Sequence, residues 1–523
     1  MANSYSYTRI EVKTIQKSND SLCFWGLWLL FTLLYALFFI LMCSYDSITF
    51  DSSYSFFLNK HSFADFFDYL YTDYSPPLYP VLLKIHSFIF GESLISLRAV
   101  SIPLFSLLFF TTLFPLRRLL GVECSILSSI LLLFSSYNIY LGIEIRPTIA
   151  GFVLSTCTVI YAMLVYYDNR ISDTVLLILF SVLSMYTHNV SLVFTFCIYA
   201  ILIIKSIINH KRNSAMKYLI CGVSVSLLYT PWLIILLHQM DKVSSIYWIS
   251  DISTYQIIDT VFWGGVFDSQ IPFPVRIFFI SLIAIYPLII LLITMNKETH
   301  KLSKDRIKSL FPKLDQTITL LTITLLSIVF YYYAFKILLK PSFASRHFLI
   351  FYGAGTIIIA AVLTVYKKNR PIPAILSIFV IISFIINRYP LYRGFELSQK
   401  SDMMNTISSN TTSDVVFLHF NTDSVGVSYY YFPNAKHYIS PDIHTALQSF
   451  DVFSSDIDHL DDNENIWQET DSFFIYNLLS FDNYDPIDYY SCFFDNENIT
   501  IQVLGEYWLP YNGYCSILLV TNK

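Results

Sequence analysis

The feature that most constrains this chain is a series of long apolar runs. They fall at about 22–43, 93–115, 125–142, 147–167, 173–188, 190–208, 218–238, 275–295, 317–338, 348–366 and 372–388. A helix needs about 20 mostly apolar residues to cross a bilayer. The runs therefore predict an all-α polytopic membrane bundle of about eleven transmembrane helices. Composition agrees, at 55% hydrophobic and 14% charged, against roughly 25% charged in soluble domains. Residues 1–21 are polar and read as an N-terminal segment ahead of the first span. The run Leu22–Met42 is too long for a signal-peptide core, and no small-x-small cleavage site follows it. There is no basic stripe suited to nucleic acid, so the bilayer is the partner that composition implies.

An odd number of spans puts the termini on opposite sides. Lys and Arg collect in alternate connections: Arg9, Lys13 and Lys17, then Arg117–Arg118, Arg170, Lys211–Arg212–Lys217, six basic residues over 297–313, and Lys367–Lys368–Arg370. The basic side is the cytoplasmic one. The expectation is a multi-pass cytoplasmic (inner) membrane protein with its N-terminus inside, a transmembrane domain over 22–388, and residues 389–523 outside.

That C-terminal stretch carries 19 Asp and Glu against four Lys and Arg. A helical pattern at 400–409 precedes short strand-like runs at Val415–Phe420, Phe473–Tyr476, Ile499–Leu504 and Ser516–Val520. A small mixed α/β domain fits this pattern. The eight Cys show no metal-ligand spacing, so no metal or other cofactor is assigned. Six lie in or beside apolar runs, where Cys packs as a small hydrophobe. Cys492 and Cys515 are the two in the polar C-terminal region, and an oxidising compartment favours a disulfide between them.

Two connections on the outer side are long. Loop 44–92 holds two predicted helices. Over Ser53–Leu70, the spacing of Phe56, Phe57, Phe63, Phe66, Phe67 and Leu70 suits a helix lying in the membrane interface. Ser75-Pro76-Pro77 then offers an N-cap and first turn for a second helix, and Gly91 its C-cap. The other long connection, 239–274, carries Trp248 and Trp263.

Residues suited to chemistry gather at the outer ends of the spans. Asp51, just after span one, suits a general base or a solvated loop acid. Glu144 and Arg146 interrupt an apolar stretch, where ionisable residues mark function unless they form a structural pair. Arg grips phosphate through a planar, bidentate fork. His188 sits at a turn between spans five and six. Lys340, Arg346 and His347 cluster on the side that should be poor in positive charge; an anionic ligand accounts for them, as does snorkelling. One candidate base with several cations suits reaction at a lipid-linked phosphate. No Walker loop or kinase signature is present.

These residues fall in a recognisable order. Asp51 after span one, Tyr74-Ser75-Pro76-Pro77-Leu78-Tyr79 with its helix, and Arg98 entering span two resemble the bacterial branch of the protein-mannosyltransferase-like superfamily of C-type glycosyltransferases. Tyr140–Arg146, Thr187-His188-Asn189, Pro231-Trp232 and Lys340-Pro341 with Arg346 look like further landmarks, over about residues 20–390. The resemblance implies the C-type glycosyltransferase fold and a polyprenyl-phosphate-linked sugar donor. It implies that Asp51 is the catalytic base, that Arg146 contacts the donor phosphate, and that transfer inverts the anomeric centre. Tyr79, His188, Lys340, Arg346 and His347 would line the substrate site. The family often has Asp-Glu where this chain has Asp51-Ser52, so another carboxylate must substitute; Asp73 and Glu144 are the candidates. Expected partners are the lipid-linked sugar and an envelope glycan or lipid acceptor. Protein O-glycosylation and a flippase or transporter of lipid-linked glycans are the alternatives.

Overall fold

The computed structural model describes residues 2–72, 75–243, 252–265, 274, 281, 311, 313–338, 345–364, 371–395, 397–411, 414–441, 452–453, 457–478, 485–494 and 499–522. Among them, seven helices are long and apolar enough to cross a membrane: Leu22–Met42, Leu94–Leu120, Thr148–Tyr167, Asn189–Ile208, Arg212–Gln239, Leu314–Ala334 and Arg346–Thr364. Val122–Leu133 and Tyr137–Ile143 meet at 57° and make an eighth crossing if they act as one broken span. Two further expected spans appear as the shorter apolar helices Ile171–Met185 and Pro373–Arg388. The expected span at 275–295 lies outside the described residues. Each of the other ten runs is helical.

The helix Thr148–Tyr167 is the centre of the bundle. It is buried from Thr148 to Tyr166, and it packs against Ser101–Leu113, Ile171–Met185, Asn189–Ile208 and Ser345–Thr364. Hydroxyls within the helices return to their own backbone: Thr156 donates to Phe152 O at 2.8 Å and Thr158 to Leu154 O at 2.8 Å. That local bond removes the cost of an unpaired hydroxyl in an apolar interior.

Loop 44–92 holds three helices rather than two. The first, Phe50–Lys60, starts where Thr49 Oγ1 accepts from Ser52 N. It ends at His61, and Ser62 caps the next helix, Phe63–Thr72, by accepting from Asp65 N. The apolar residues expected on one interfacial face are therefore divided. Phe56 and Phe57 are buried against Tyr430, Tyr429 and Phe453 of the C-terminal region. Phe63 and Phe67 are exposed. The third helix, Leu78–Phe90, ends at Gly91 as expected, with φ at 89°. Its start differs: Pro77, not Ser75, is the N-cap. Leu78 N finds its acceptor in Tyr186 O at 2.9 Å, so a neighbouring helix end replaces the side-chain cap.

The C-terminal region is a six-stranded mixed sheet. The strands are β1 (Val416–His419), β2 (Lys436–Ile439), β3 (Ile457–His459), β4 (Ser472–Asn477), β5 (Ile499–Leu509) and β6 (Gly513–Asn522), in the order β3-β2-β1-β4-β6-β5. The first four pair in parallel where they adjoin, and β6 runs antiparallel to both β4 and β5. The helix Lys400–Ser409 lies where the sequence placed it. One face of the sheet joins the membrane helices in a single core that includes Met403, Phe417, Cys515 and Ile517. The other face forms a separate core with Ile466, Tyr490, Phe494 and Leu518.

This division overturns the expected disulfide. Cys492 and Cys515 are both free thiols. Cys515 is buried 3.8 Å from the Met403 sulfur on the first face. Cys492 follows the helix Pro486–Ser491, which covers the second face, and is exposed with its thiol on Tyr489 O. A sheet stands between the two sulfurs.

Candidate functional site

The site is assembled from the first turns of helices. Asp51 is in the first turn of Phe50–Lys60, and Arg346 is in the first turn of Ser345–Thr364. Arg146 lies just before Thr148–Tyr167, and His188 is the N-cap of Asn189–Ile208. Tyr79 is the second residue of Leu78–Phe90. Helix N-termini carry partial positive charge and free N–H groups, so their meeting point favours an anion.

At the centre, one carboxylate bridges two guanidinium groups. Arg146 Nη2 donates to Asp51 Oδ1 at 2.8 Å, and Arg346 Nη1 donates to Asp51 Oδ2. The Asp51 side chain is 19% exposed, Arg146 27% and Arg346 31%, so the cluster is partly open. Burial pushes the Asp51 carboxyl up, but the two guanidinium groups outweigh it and hold Asp51 below the usual carboxylate range.

Glu144 forms a second layer. Its Oε2 accepts from Ser52 Oγ at 2.9 Å and lies 3.0 Å from Thr49 Oγ1. Ser52 Oγ in turn accepts from Ile145 N at 3.1 Å. Burial first, then the Asp51 charge, raise the Glu144 carboxyl above its ordinary value. The two acids are thus pushed in opposite directions, Asp51 down by the two guanidinium groups and Glu144 up by burial.

The remaining expected residues divide. Tyr79 is buried and feels both Glu144 and Arg146; burial pushes its phenol up. The His188 and His347 rings stand 6.1 Å apart, edge to face. His188 Nδ1 accepts from Val190 N at 3.2 Å, and burial followed by the neighbouring cationic groups lowers the ring to about 3. A neutral ring can accept that bond, as the cap requires. Gly151 makes the approach possible, because a Cβ there would lie 2.8 Å from the His188 Cβ. Asp73 and Lys340 lie outside the described residues. Among the described residues, no group of three or more His, Cys, Asp and Glu is arranged to hold a metal ion.

Four contributors were not singled out as site residues from sequence. Thr49 and Ser52 hold Glu144, and only the Ser in place of the expected Glu hinted at a role. Tyr140 lies within the field of Asp51, Glu144, Arg146 and Arg346. Arg98 is 2% exposed. It donates to Ile143 O at 2.7 Å, Tyr45 O at 2.8 Å and Ser47 O at 2.6 Å. It ties the segment before Asp51 to the one before Glu144.

A helical membrane core, a charged cluster at its helix N-termini and a mixed sheet seated over the first loop make up the fold. The likeness to solved structures is to ArnT from Cupriavidus metallidurans. Its crystal structures bound to undecaprenyl phosphate and in the apo state each match with a TM-score of 0.58 and 9% identity. Each match covers 96% of this chain and 98% of that one. No family model matches the sequence, and comparison with curated proteins gives no match. The likeness is one of fold.

Proposed function

We propose that this chain is a membrane glycosyltransferase. It moves a monosaccharide from a polyprenyl-phosphate donor to an envelope glycan or lipid acceptor on the outer side of the cytoplasmic membrane. The observation that carries this reading is Asp51 bridging Arg146 and Arg346 at converging helix N-termini. The fold adds weight, since it is shared with ArnT, crystallised with undecaprenyl phosphate.

The roles follow from charge. The donor phosphate takes the two arginines, whose planar forks suit its oxygens, and in doing so frees Asp51. An acceptor hydroxyl then attacks the anomeric carbon from the face opposite the phosphate. Its proton passes to the Asp51 carboxylate. The bond from the anomeric carbon to the phosphate oxygen breaks, and its electron pair leaves with the polyprenyl phosphate. Backside attack inverts the anomeric centre. Glu144 stands in for the acid missing at Ser52, and its contact with Ser52 supports that assignment.

The test is mass spectrometry of envelope glycans and lipids with the gene present and absent. Loss of one hexose or pentose from a glycan or lipid is the expected result. A change confined to proteins moves the acceptor to protein. Accumulation of an intact lipid-linked glycan with no missing sugar overturns the transferase reading in favour of transport.

A further inference from the structure

The segment between the first span and the Asp51 helix lacks regular secondary structure over 43–49. Its polar groups must therefore find partners elsewhere. Arg98 supplies two of them. The rest come largely from the C-terminal sheet, at the tip of the β5–β6 hairpin. Tyr511 Oη donates to Met42 O at 2.9 Å and accepts from Tyr45 N at 3.2 Å. Asn512 Nδ2 donates to Ile48 O at 2.7 Å, and Ser47 Oγ donates to Pro510 O at 2.5 Å. Lys400 Nζ and Tyr430 Oη both reach Asp46.

Tyr511 also completes the Arg98 anchor. The Arg98 guanidinium lies over the Tyr511 ring at 4.7 Å, an arrangement that favours the cation. The tyrosine has a φ of 71°. A bulky residue seldom occupies that region unless its surroundings hold it there. Here the ring is held by Arg98 and the hydroxyl by the loop.

We propose that the hairpin tip Pro510–Asn512 is a positioning device for the candidate site, with Tyr511 as its key residue. The tip orders residues 42–48 and, through Arg98, the carbonyl of Ile143, so it sets where Asp51 and Glu144 stand. The C-terminal region is then part of the transfer machinery. This meaning rests on the glycosyltransferase reading; the ordering of the loop does not.

The test uses the full chain in detergent micelles, with Tyr511→Phe, Tyr511→Ala and Tyr514→Ala. Tyr514 is an exposed ring close by in the same hairpin. Amide exchange is followed peptide by peptide, and undecaprenyl phosphate is the binding probe. Tyr511→Phe should raise exchange over 43–53 by at least about fivefold, the shift for one neutral hydrogen bond, since its hydroxyl makes two to this segment. It should leave 416–419 and 472–477 at the wild-type rate and weaken undecaprenyl phosphate binding severalfold. Tyr511→Ala should do more, and Tyr514→Ala should change neither. If Tyr511→Ala does not accumulate, Tyr511→Phe carries the test. Unchanged exchange over 43–53, or an equal rise in the sheet strands, overturns the proposal. So does a local rise with unaltered binding, because the loop would then be ordered to no effect at the site. Wild-type protein that binds no undecaprenyl phosphate overturns the glycosyltransferase reading instead, and the exchange result still judges the clamp.

Discussion

At the residue scale, Asp51 faces two demands that oppose each other. A general base works best when its affinity for a proton is substantial, yet Arg146 and Arg346 depress that of Asp51. In the proposed reaction, donor binding resolves the conflict, because a phosphate would compete for the same two guanidinium groups. Asp51→Asn should therefore lower turnover by at least about 100-fold. It should also bind undecaprenyl phosphate at least as tightly as the wild type, since the competing charge is gone. Loss of both turnover and binding would make Asp51 a structural anchor. Arg146→Lys should weaken binding, because a point charge cannot reproduce the fork; unchanged affinity in a titration would remove Arg146 from the phosphate site. These residues were legible because ionisable groups beside apolar runs are conspicuous. Thr49 and Ser52 were not, because a hydroxyl near a helix start reads as a cap, and Thr49 is indeed that as well.

At the scale of elements, the helix Thr422–Tyr431 and the Asp51 helix meet closely at Gly426. A Cβ there would lie 2.2 Å from Ser53 Oγ and 2.5 Å from the Phe453 ring. Gly426→Val should cost about 1–3 kcal/mol through overpacking, read as a lower melting temperature; a melting temperature at or above wild type would show that the two helices can part freely. Strands β1 and β2 carry a second sensitivity. His419 Nε2 and His437 Nδ1 lie 3.1 Å apart, and both rings are buried. Burial lowers both, His437 to about 4 and His419, with His437 beside it, well below its ordinary value. The unfolded chain binds protons more readily there, so this contribution to stability is complete above about pH 6.5 and declines as pH falls toward about 4. The melting temperature should drop across that window, and His437→Gln should flatten the drop. A wild-type profile without slope would refute the role of the pair. Four strands and one helix of this region were legible because short apolar runs and helical spacing stood out. The strands β2 and β3 were not, being four and three residues long with polar residues in each. The break at His61-Ser62 was hidden by aromatic spacing that continues across it.

At the scale of the whole molecule, the candidate site and the C-terminal sheet lie at the same end of the bundle, because the hairpin tip bonds to the loop that precedes Asp51. The other connections carry a different charge. Arg118 pairs with Asp168 and Asp173, Lys205 with Asp315, and Lys217 donates to Asn169. Lys211 and Arg212 lie in the same set of connections. Against these, residues 389–523 hold 19 acidic and four basic residues. Positive charge in short connections is retained in the cytoplasm, whereas acids weigh little in the choice. The basic end therefore decides the proposed orientation, in which the sheet and the site face outside. A reporter active only in the cytoplasm should be silent when fused after Lys523 and active when fused in the connection at His210–Lys211. A reporter active only outside should show the reverse. The pair matters because one silent fusion can reflect poor expression, whereas two opposite patterns cannot. Cytoplasmic activity after Lys523 would mean that the number of crossings among residues 22–388 is even. The site would then face the cytoplasm, and a donor whose sugar is presented on the outer leaflet could not reach Asp51.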